Sequence, residues 1–332
     1  MKNLKLLLVS LAILFSHNFT MGQGSKDSNK EKSAVKSALN AFKFRSIGPA
    51  FMSGRIADIA IDPMNENVWY VAVGSGGVWK TENAGTTWSP IADNMPFYST
   101  GCITIDPHNN ASIWLGTGEN VGGRHVGIGH GVYHSKDGGK SWKDMGLKKS
   151  EHISKIIVHP EDPNTVWVAS QGPLWSPGGE RGLYKTTDGG KTWKNTLDIN
   201  EWTGVTDLVI DPTNPDVLYA ASWQKHRNVA ALIGGGPGTS LYKSVDGGNN
   251  WSKIDKGLPR SNKGKIGLAI SPMQPNVLYA AVELDKRAGA VYRSDNSGGS
   301  WKKMSDTVSG GTGPHYYQEL VASPHVFDKI YL

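Results

Sequence analysis

The eight residues Thr186-Thr187-Asp188-Gly189-Gly190-Lys191-Thr192-Trp193 form a pattern that recurs four more times in the chain. Each copy has a hydroxyl residue first, Asp or Asn third, Gly fifth and Trp eighth. The other copies run from Thr81 to Trp88, from Ser135 to Trp142, from Ser244 to Trp251 and from Ser294 to Trp301. Successive tryptophans are 50 to 58 residues apart, a period typical of stacked or radial repeats.

Each copy predicts a tight turn. An Asp or Asn side chain can bond the backbone of its own turn, Gly supplies a positive φ, and a buried Trp anchors the hairpin that the turn closes. We therefore expect structural roles for the third and eighth residues of every copy. These are Asn83, Trp88, Asp137, Trp142, Asp188, Trp193, Asp246, Trp251, Asn296 and Trp301.

The pattern resembles the Asp-box, or BNR repeat, of sialidase-like and sortilin (VPS10)-like β-propellers. Phrases outside it resemble one secreted bacterial group of that class, whose members commonly carry the label "glycosyl hydrolase". These phrases are Ser53-Gly54-Arg55-Ile56, Gly116-Thr117-Gly118-Glu119-Asn120, Gly172-Pro173-Leu174-Trp175 and Ala221-Ser222-Trp223-Gln224. The resemblance implies a propeller that binds a polypeptide or a glycan, or one that hydrolyses a glycan.

The rest of each repeat predicts the same fold. An apolar strand ends in a Pro turn, a second strand carries an aromatic residue, and a third strand and the Asp-box follow. Four strands in about 50 residues match one propeller blade. The sequence thus predicts an all-β propeller of four-stranded antiparallel blades, with five complete blades and a partial sixth. Because the sixth stops after its second strand, we expect a fragment of a longer protein, in which residues 44–47 complete the last blade.

The N-terminus predicts export. Lys2 and Lys5 precede an apolar run from Leu6 to Phe15 that is too short to span a bilayer. We expect a signal peptide at residues 1–22, cleaved near Gly22, a flexible lead-in at 23–41 and the propeller at 42–332. The protein would be secreted or periplasmic.

Composition argues against several function classes. The net charge of +6 comes without a basic stripe interleaved with aromatics, which disfavours nucleic acid, and no later segment could span a membrane. The one cysteine, Cys102, cannot form an internal disulfide. No spacing of His, Cys or acidic residues favours a metal, and no phosphate or dinucleotide motif occurs, so we expect no cofactor. Oligomeric state is not predicted.

Strand parity predicts where a ligand binds. If blade strands are antiparallel, the loops between second and third strands lie opposite the Asp-boxes, and three of them are long: 116–131, 170–182 and 222–239. Variable loops on a rigid scaffold commonly carry binding residues. The candidates are Glu119, Arg124, Trp175, Arg181, Trp223 and Arg227. Alternatively, Trp175 and Trp223 fold under and pack their own loops.

Three carboxylates are candidates for catalysis. Counting back five residues from aligned prolines places Asp58, Asp207 and Glu319 at one level of the innermost strands, with Lys155 among them. A glycosidase needs two carboxylates roughly 5 to 9.5 Å apart. Alternatively, these side chains bond the backbone of neighbouring blades or pair with Lys155 and Arg55.

Three functions remain open: an exported propeller that binds a polypeptide or glycan through the long loops, a glycoside hydrolase, or an adaptor within a larger secreted protein. Xyloglucanase-type propellers, which resemble the chain in blade layout, place a catalytic Asp just after the second strand of an early blade. Here that place holds Val73-Gly74-Ser75-Gly76, which weakens the hydrolase hypothesis.

Overall fold

The structure is a computed structural model that describes residues 37, 55–123, 126–284, 288–307 and 319–332. The predicted signal peptide, the closing strand at 44–47 and the candidate Arg124 lie outside the described residues, as does the predicted lead-in at 23–41 apart from residue 37.

Five four-stranded antiparallel sheets follow one another along the chain. The first contains β1 (Ile56–Ile61), β2 (Trp69–Val73), β3 (Gly77–Thr81) and β4 (Ser89–Pro90). The second contains β5 (Thr100–Asp106), β6 (Asn109–Thr117), β7 (Val132–Ser135) and β8 (Lys143–Asp144), and a 3-10 turn, Lys148–Ser150, follows it. The third contains β9 (Ile153–Val158), β10 (Val166–Ser170), β11 (Gly182–Thr186) and β12 (Lys194–Leu197).

The fourth sheet contains β13 (Thr203–Asp211), β14 (Asn214–Gln224), β17 (Leu241–Ser244) and β18 (Ser252–Lys253). Its long loop forms a separate hairpin of β15 (His226–Arg227) and β16 (Leu232–Ile233). The fifth contains β19 (Ile266–Ile270), β20 (Leu278–Glu283), β21 (Gly289–Ser294) and β22 (Lys302–Thr307). A two-stranded sheet of β23 (Val321–Ala322) and β24 (Ile330–Tyr331) follows. The predicted all-β fold of four-stranded antiparallel blades is confirmed, while the blade number of the complete propeller stays a prediction.

The core lies between consecutive sheets. One cluster joins Trp167 and Leu183 of the third sheet to Leu208 and Leu218 of the fourth, and the other large clusters join neighbouring sheets in the same way. The first strand of each sheet contacts the first strand of the next sheet. The contacting pairs are β1–β5, β5–β9, β9–β13, β13–β19 and β19–β23. Burial of apolar side chains on facing sheets, worth about 25 cal/mol per Å², therefore stabilises each blade against the next.

The Asp-box turns are closed by their own side chains. Asp188 Oδ1 accepts hydrogen bonds from Lys191 N (2.9 Å) and Thr192 N (3.0 Å), and Gly190 N donates to Thr186 Oγ1 (3.0 Å). The third residues of the other four copies, Asn83, Asp137, Asp246 and Asn296, accept the equivalent backbone bond four residues on. The turn needs a left-handed residue, and Gly190 has a φ of 82°.

The tryptophans of these turns reach the preceding blade. Their indole Nε1 atoms donate to a carbonyl at the end of that blade in three copies: Trp142 to Ile91 (3.1 Å), Trp193 to Met145 (2.7 Å) and Trp301 to Ile254 (2.8 Å). Trp251 donates to Thr196 Oγ1 (3.4 Å), and Trp88 of the first blade is 38% exposed. Each of these four tryptophans, three of them half-buried and Trp301 buried, thus ties its turn to the blade before it.

Strand register separates two ends of the sheets. In the second sheet Ile113 pairs with Ser135 beside the Asp-box, whereas Gly116 pairs with Val132 beside the long loop. The other sheets have the same antiparallel register. We call these ends the Asp-box end and the loop end.

No helix within the described residues is long and apolar enough to cross a membrane.

Candidate functional site

One level of the first strands carries charged residues that the aligned prolines predicted to lie together. Asp58, Lys155 and Asp207 pair with the second-strand residues Ala72, Ala169 and Ala221. In each second strand, this alanine lies three residues after the residue that pairs with the hydroxyl residue of the same blade's Asp-box. Cys102 and Gly267 have the same register. Counting from the prolines therefore identified a real level in these five blades.

Both aspartates of this level are bound to backbone. Asp58 accepts from its own strand at Ile59 N (2.8 Å) and from the next blade at Ile103 N (3.0 Å). Asp207 does the same with Leu208 N (2.8 Å) and Leu268 N (2.7 Å). All four carboxylate oxygens therefore accept backbone hydrogen bonds, and one oxygen of each aspartate joins its first strand to that of the next blade. This is the backbone-bonding role that the sequence analysis gave as the alternative to catalysis.

Lys155, on the same level, is influenced by the charges of all three candidate catalytic carboxylates. Burial disfavours its ammonium, but the negative charges of Asp58, Asp207 and Glu319 outweigh this effect and raise its pKa. Burial raises the pKa of both aspartates and of Glu319, and the charge of Lys155 opposes that rise. A cavity of about 300 Å³ opens beside the lysine, lined by Asp207, Lys265 and Glu319 among others. The opposite charges of Lys155 and the three carboxylates thus partly offset the cost of burying each of them.

At the loop end a buried polar network joins the long loops. Asn120 Oδ1 accepts from Gln171 Nε2 and from Lys265 Nζ (3.1 Å), and its carbonyl also accepts from Lys265 (2.9 Å). Gln171 Oε1 accepts from Lys225 Nζ. Burial lowers the pKa of both lysines, that of Lys265 to about 8. Residues from three blades and the start of β19 are thus held as one unit.

Arg181 folds inward. Its guanidinium donates to the carbonyls of Gln171 (2.7 Å), Gly178 (2.8 Å), Ser176 (2.8 Å) and Pro173. The residue is buried, and burial lowers its pKa to about 10. This predicted ligand-binding residue therefore shapes the 170–182 loop from within.

Glu119 is also buried. It forms a bidentate ion pair with Arg55, whose Nη2 lies 2.7 Å from Oε2, and it accepts from Gly127 N (3.4 Å). A carboxylate held in this way joins the described parts of this loop, 116–123 and 126–131, and has little surface left to present to a ligand.

The two candidate tryptophans differ. Trp223 is 2% exposed, its Nε1 donates to Gly234 O (2.9 Å), and Lys225 Nζ lies 4.9 Å from its ring centre. Trp175 is 45% exposed, with the Arg227 guanidinium 6.0 Å from its ring. The sequence left exposed and folded-under states open for both, and the structure buries Trp223 and exposes Trp175.

The β15–β16 hairpin supports a second aromatic residue that the sequence analysis missed. His226 lies 4.1 Å from Trp202, ring centre to ring centre, and Arg181 lies 6.0 Å from the same indole. Arg227 beside it donates through Nη1 to Gly122 O (2.8 Å) and through its amide to Leu174 O (3.0 Å). Trp202 is not part of an Asp-box copy, and this was the sequence feature that could have marked it as a candidate binding residue.

Within the described part of the chain, no group of three or more His, Cys, Asp or Glu residues could hold a metal ion.

Comparison with known proteins places the fold. The family model described as "Sortilin, neurotensin receptor 3" matches residues 130–260. A probable oligoxyloglucan-reducing end-specific xyloglucanase of Neosartorya fischeri is 24% identical over 241 residues, which cover 67% of this chain and 26% of the relative. A xyloglucanase of Hypocrea jecorina is 23% identical over 308 residues, which cover 83% and 35%. The crystal structure of an ancestral GH74 enzyme superposes with a TM-score of 0.62 at 23% identity, covering 82% of this chain and 33% of that one.

The fold is therefore an Asp-box β-propeller, and the predicted resemblance to sortilin-like propellers is confirmed. The chain spans about a quarter to a third of the length of these curated relatives.

Proposed function

We propose that this chain is an exported propeller that binds a polysaccharide through its loop end and does not hydrolyse it. The observation that carries the proposal is Trp175, which is 45% exposed and is supported by Arg227. Exposed aromatic rings backed by a rigid scaffold suit the flat faces of sugar residues. Polysaccharide is favoured over polypeptide because both relatives described above are named as xyloglucanases.

The same end offers further contact surface. Besides Trp175, the large apolar side chains exposed on loops at this end are Tyr98, Ile128, Val229 and Ile233. Trp202, supported by His226, extends the aromatic surface. A surface of this composition fits an extended neutral chain better than a small ion.

Binding without hydrolysis is supported by two of the three candidate catalytic carboxylates, while the third, Glu319, lines the cavity beside Lys155. Asp58 and Asp207 use both oxygens for backbone amides, and Glu119 is buried in an ion pair. A general acid or a nucleophile needs an oxygen that can reach the glycosidic bond. These three side chains are better suited to holding blades and loops together.

Isothermal titration calorimetry of the whole chain with soluble xyloglucan tests the proposal. We expect saturable binding that weakens about tenfold in Trp175→Ala, because a stacked aromatic often dominates such an interface. Trp88→Ala removes a partly exposed tryptophan from the Asp-box end and should leave affinity unchanged.

Absence of binding to xyloglucan and to other soluble polysaccharides, or an equal loss in both variants, would contradict the proposal. Release of reducing sugar that disappears in Asp207→Asn, with the fold intact, would instead establish a glycoside hydrolase.

A further inference from the structure

A second site is indicated by one blade that departs from the others at a repeated position. In each second strand, one residue pairs with the hydroxyl residue that begins the Asp-box, and the next residue is aromatic. These aromatic residues are Tyr70, Trp114, Trp167, Tyr219 and Tyr279. In four blades the residue opposite is a cation: Lys80, Lys185, Lys243 and Arg293. In the second blade it is His134, which stacks on Trp114 with ring centres 4.1 Å apart.

The indole of the second blade also lacks the bond made by its counterpart. Trp167 Nε1 donates to Gly247 O (3.0 Å), the fourth residue of the next Asp-box. Trp114 is 1% exposed, and its Nε1 has no acceptor among the residues that the structure describes. The equivalent glycine of the next box, Gly189, lines with Trp114 a pocket of about 270 Å³.

Polar side chains of the same pocket form a chain of hydrogen bonds. Asp106 accepts from Ser112 Oγ (3.1 Å) and from the amide of His108 (2.9 Å), and His134 Nε2 lies 2.8 Å from Ser112 Oγ. Because the serine proton goes to Asp106, His134 donates through Nε2, and its Nδ1 has a lone pair that can accept. Burial and the charge of Lys136 lower the pKa of His134 to about 4, so the ring is neutral at neutral pH.

We propose that this pocket, between the second and third blades at the Asp-box end, binds a small neutral polyhydroxyl ligand of the size of one sugar residue. Trp114 Nε1 is buried, so binding requires the indole to shift until this nitrogen faces the pocket; a hydroxyl group can then accept from it and donate to His134 Nδ1, which a carboxylate or an ammonium cannot do together. An unpaired buried indole N–H destabilises the fold, and a ligand oxygen that accepts from it would remove that cost. The site lies at the opposite end of the sheets from Trp175, so it goes beyond the polysaccharide surface proposed above.

Nuclear magnetic resonance of the indole N–H groups in the whole chain tests this site. Glucose, xylose and glycerol are the probes, with acetate and ammonium as charged comparisons, and Trp114→Phe assigns the Trp114 signal. We expect a saturable shift of that signal with a neutral probe and none with the ions.

Two variants make the test specific. His134→Lys supplies the residue type found in three other blades and should weaken binding at least about tenfold, since it removes the acceptor and fills the pocket. Lys185→His makes the reciprocal change beside Trp167, whose N–H is already bonded, and should leave the Trp114 shift unchanged.

Shifts of the Trp114 signal that never saturate would show a pocket that holds only water and would overturn the proposal. An unchanged response in His134→Lys would do the same. If that variant fails to fold, sugar binding is measured by calorimetry in Trp114→Phe, once Trp175→Ala has removed the loop-end site. Binding that persists there would also overturn the proposal, and its loss would support it.

Discussion

The Asp-box end and the loop end of the sheets are stabilised in different ways. At the Asp-box end, polar side chains bond backbone within their own turn, as Asp188 does with Thr192. At the loop end, the bonds join distant segments: Arg227 reaches Gly122, and Lys265 reaches Asn120. The stabilising turn at the Asp-box end is repeated five times in the sequence, whereas the loop end is stabilised by contacts among loops that each occur once.

The buried contacts of the loop end also show that charged residues there are not, by their charge alone, ligand-binding residues. Lys225, Arg181 and Glu119 sit at the loop end, and all three are buried and bonded. A charged residue in a long loop is therefore no guide to a ligand here, because the loops need those charges to hold one another.

The largest expected effect is on stability in Trp223→Ala. Removing this buried indole should cost about 3–5 kcal/mol of unfolding free energy, because the cavity cannot be filled by neighbouring loops. Trp88→Ala at the Asp-box end should cost clearly less, since that ring is already 38% exposed. Urea unfolding followed by circular dichroism measures both. Equal losses would remove the distinction between the two ends.

A smaller loss is expected in Arg181→Met. The substitution strands the carbonyls that the guanidinium binds, at a cost of about 1–3 kcal/mol. Arg293→Met is the comparison at the Asp-box end, where the guanidinium pairs with the partly exposed Asp295 and Asp328. Such a surface pair contributes little. A larger loss in Arg293→Met than in Arg181→Met, by the same urea titration, would contradict this account.

The smallest effect concerns acid. Bonds from Ser141 and Ser135 lower the pKa of Asp137 to about 2. A depressed carboxyl pKa stabilises the fold fully above the ordinary value of about 4, and this stabilisation is lost as the pH falls from there towards 2. Asp137→Asn should therefore lose less stability over that window than the parent chain, while keeping the turn, as Asn83 and Asn296 do. Urea midpoints at neutral and acid pH measure it; identical acid sensitivity would show that the carboxylate is not responsible.

The sequence predicted the blades because their determinants are local. The hydroxyl, Asp and Gly of each turn lie within five residues, so Asp188 could be assigned its place without any other part of the chain. The level of Asp58, Lys155 and Asp207 followed from the same repetition.

The candidate binding residues could not be resolved in that way. Trp175 and Trp223 both lie in long loops after second strands, and nothing nearby separates them. Trp223 is buried because its ring passes over Gly122, where an added Cβ would lie 3.2 Å from the indole, and beside Lys265. Those contacts span blades and leave no periodic trace.

The side-chain bonds between first strands have a consequence for how such a chain can change. Asp58 and Asp207 each reach a main-chain amide of the following blade, and Thr104 and Ser154 reach main-chain carbonyls of theirs. Because every residue except proline offers the amide, and every residue the carbonyl, the receiving blade is free to mutate at that position without breaking the joint. Each unit can thus diverge while its neighbours stay as they are, and the five Asp-box units can share a scaffold with little else in common.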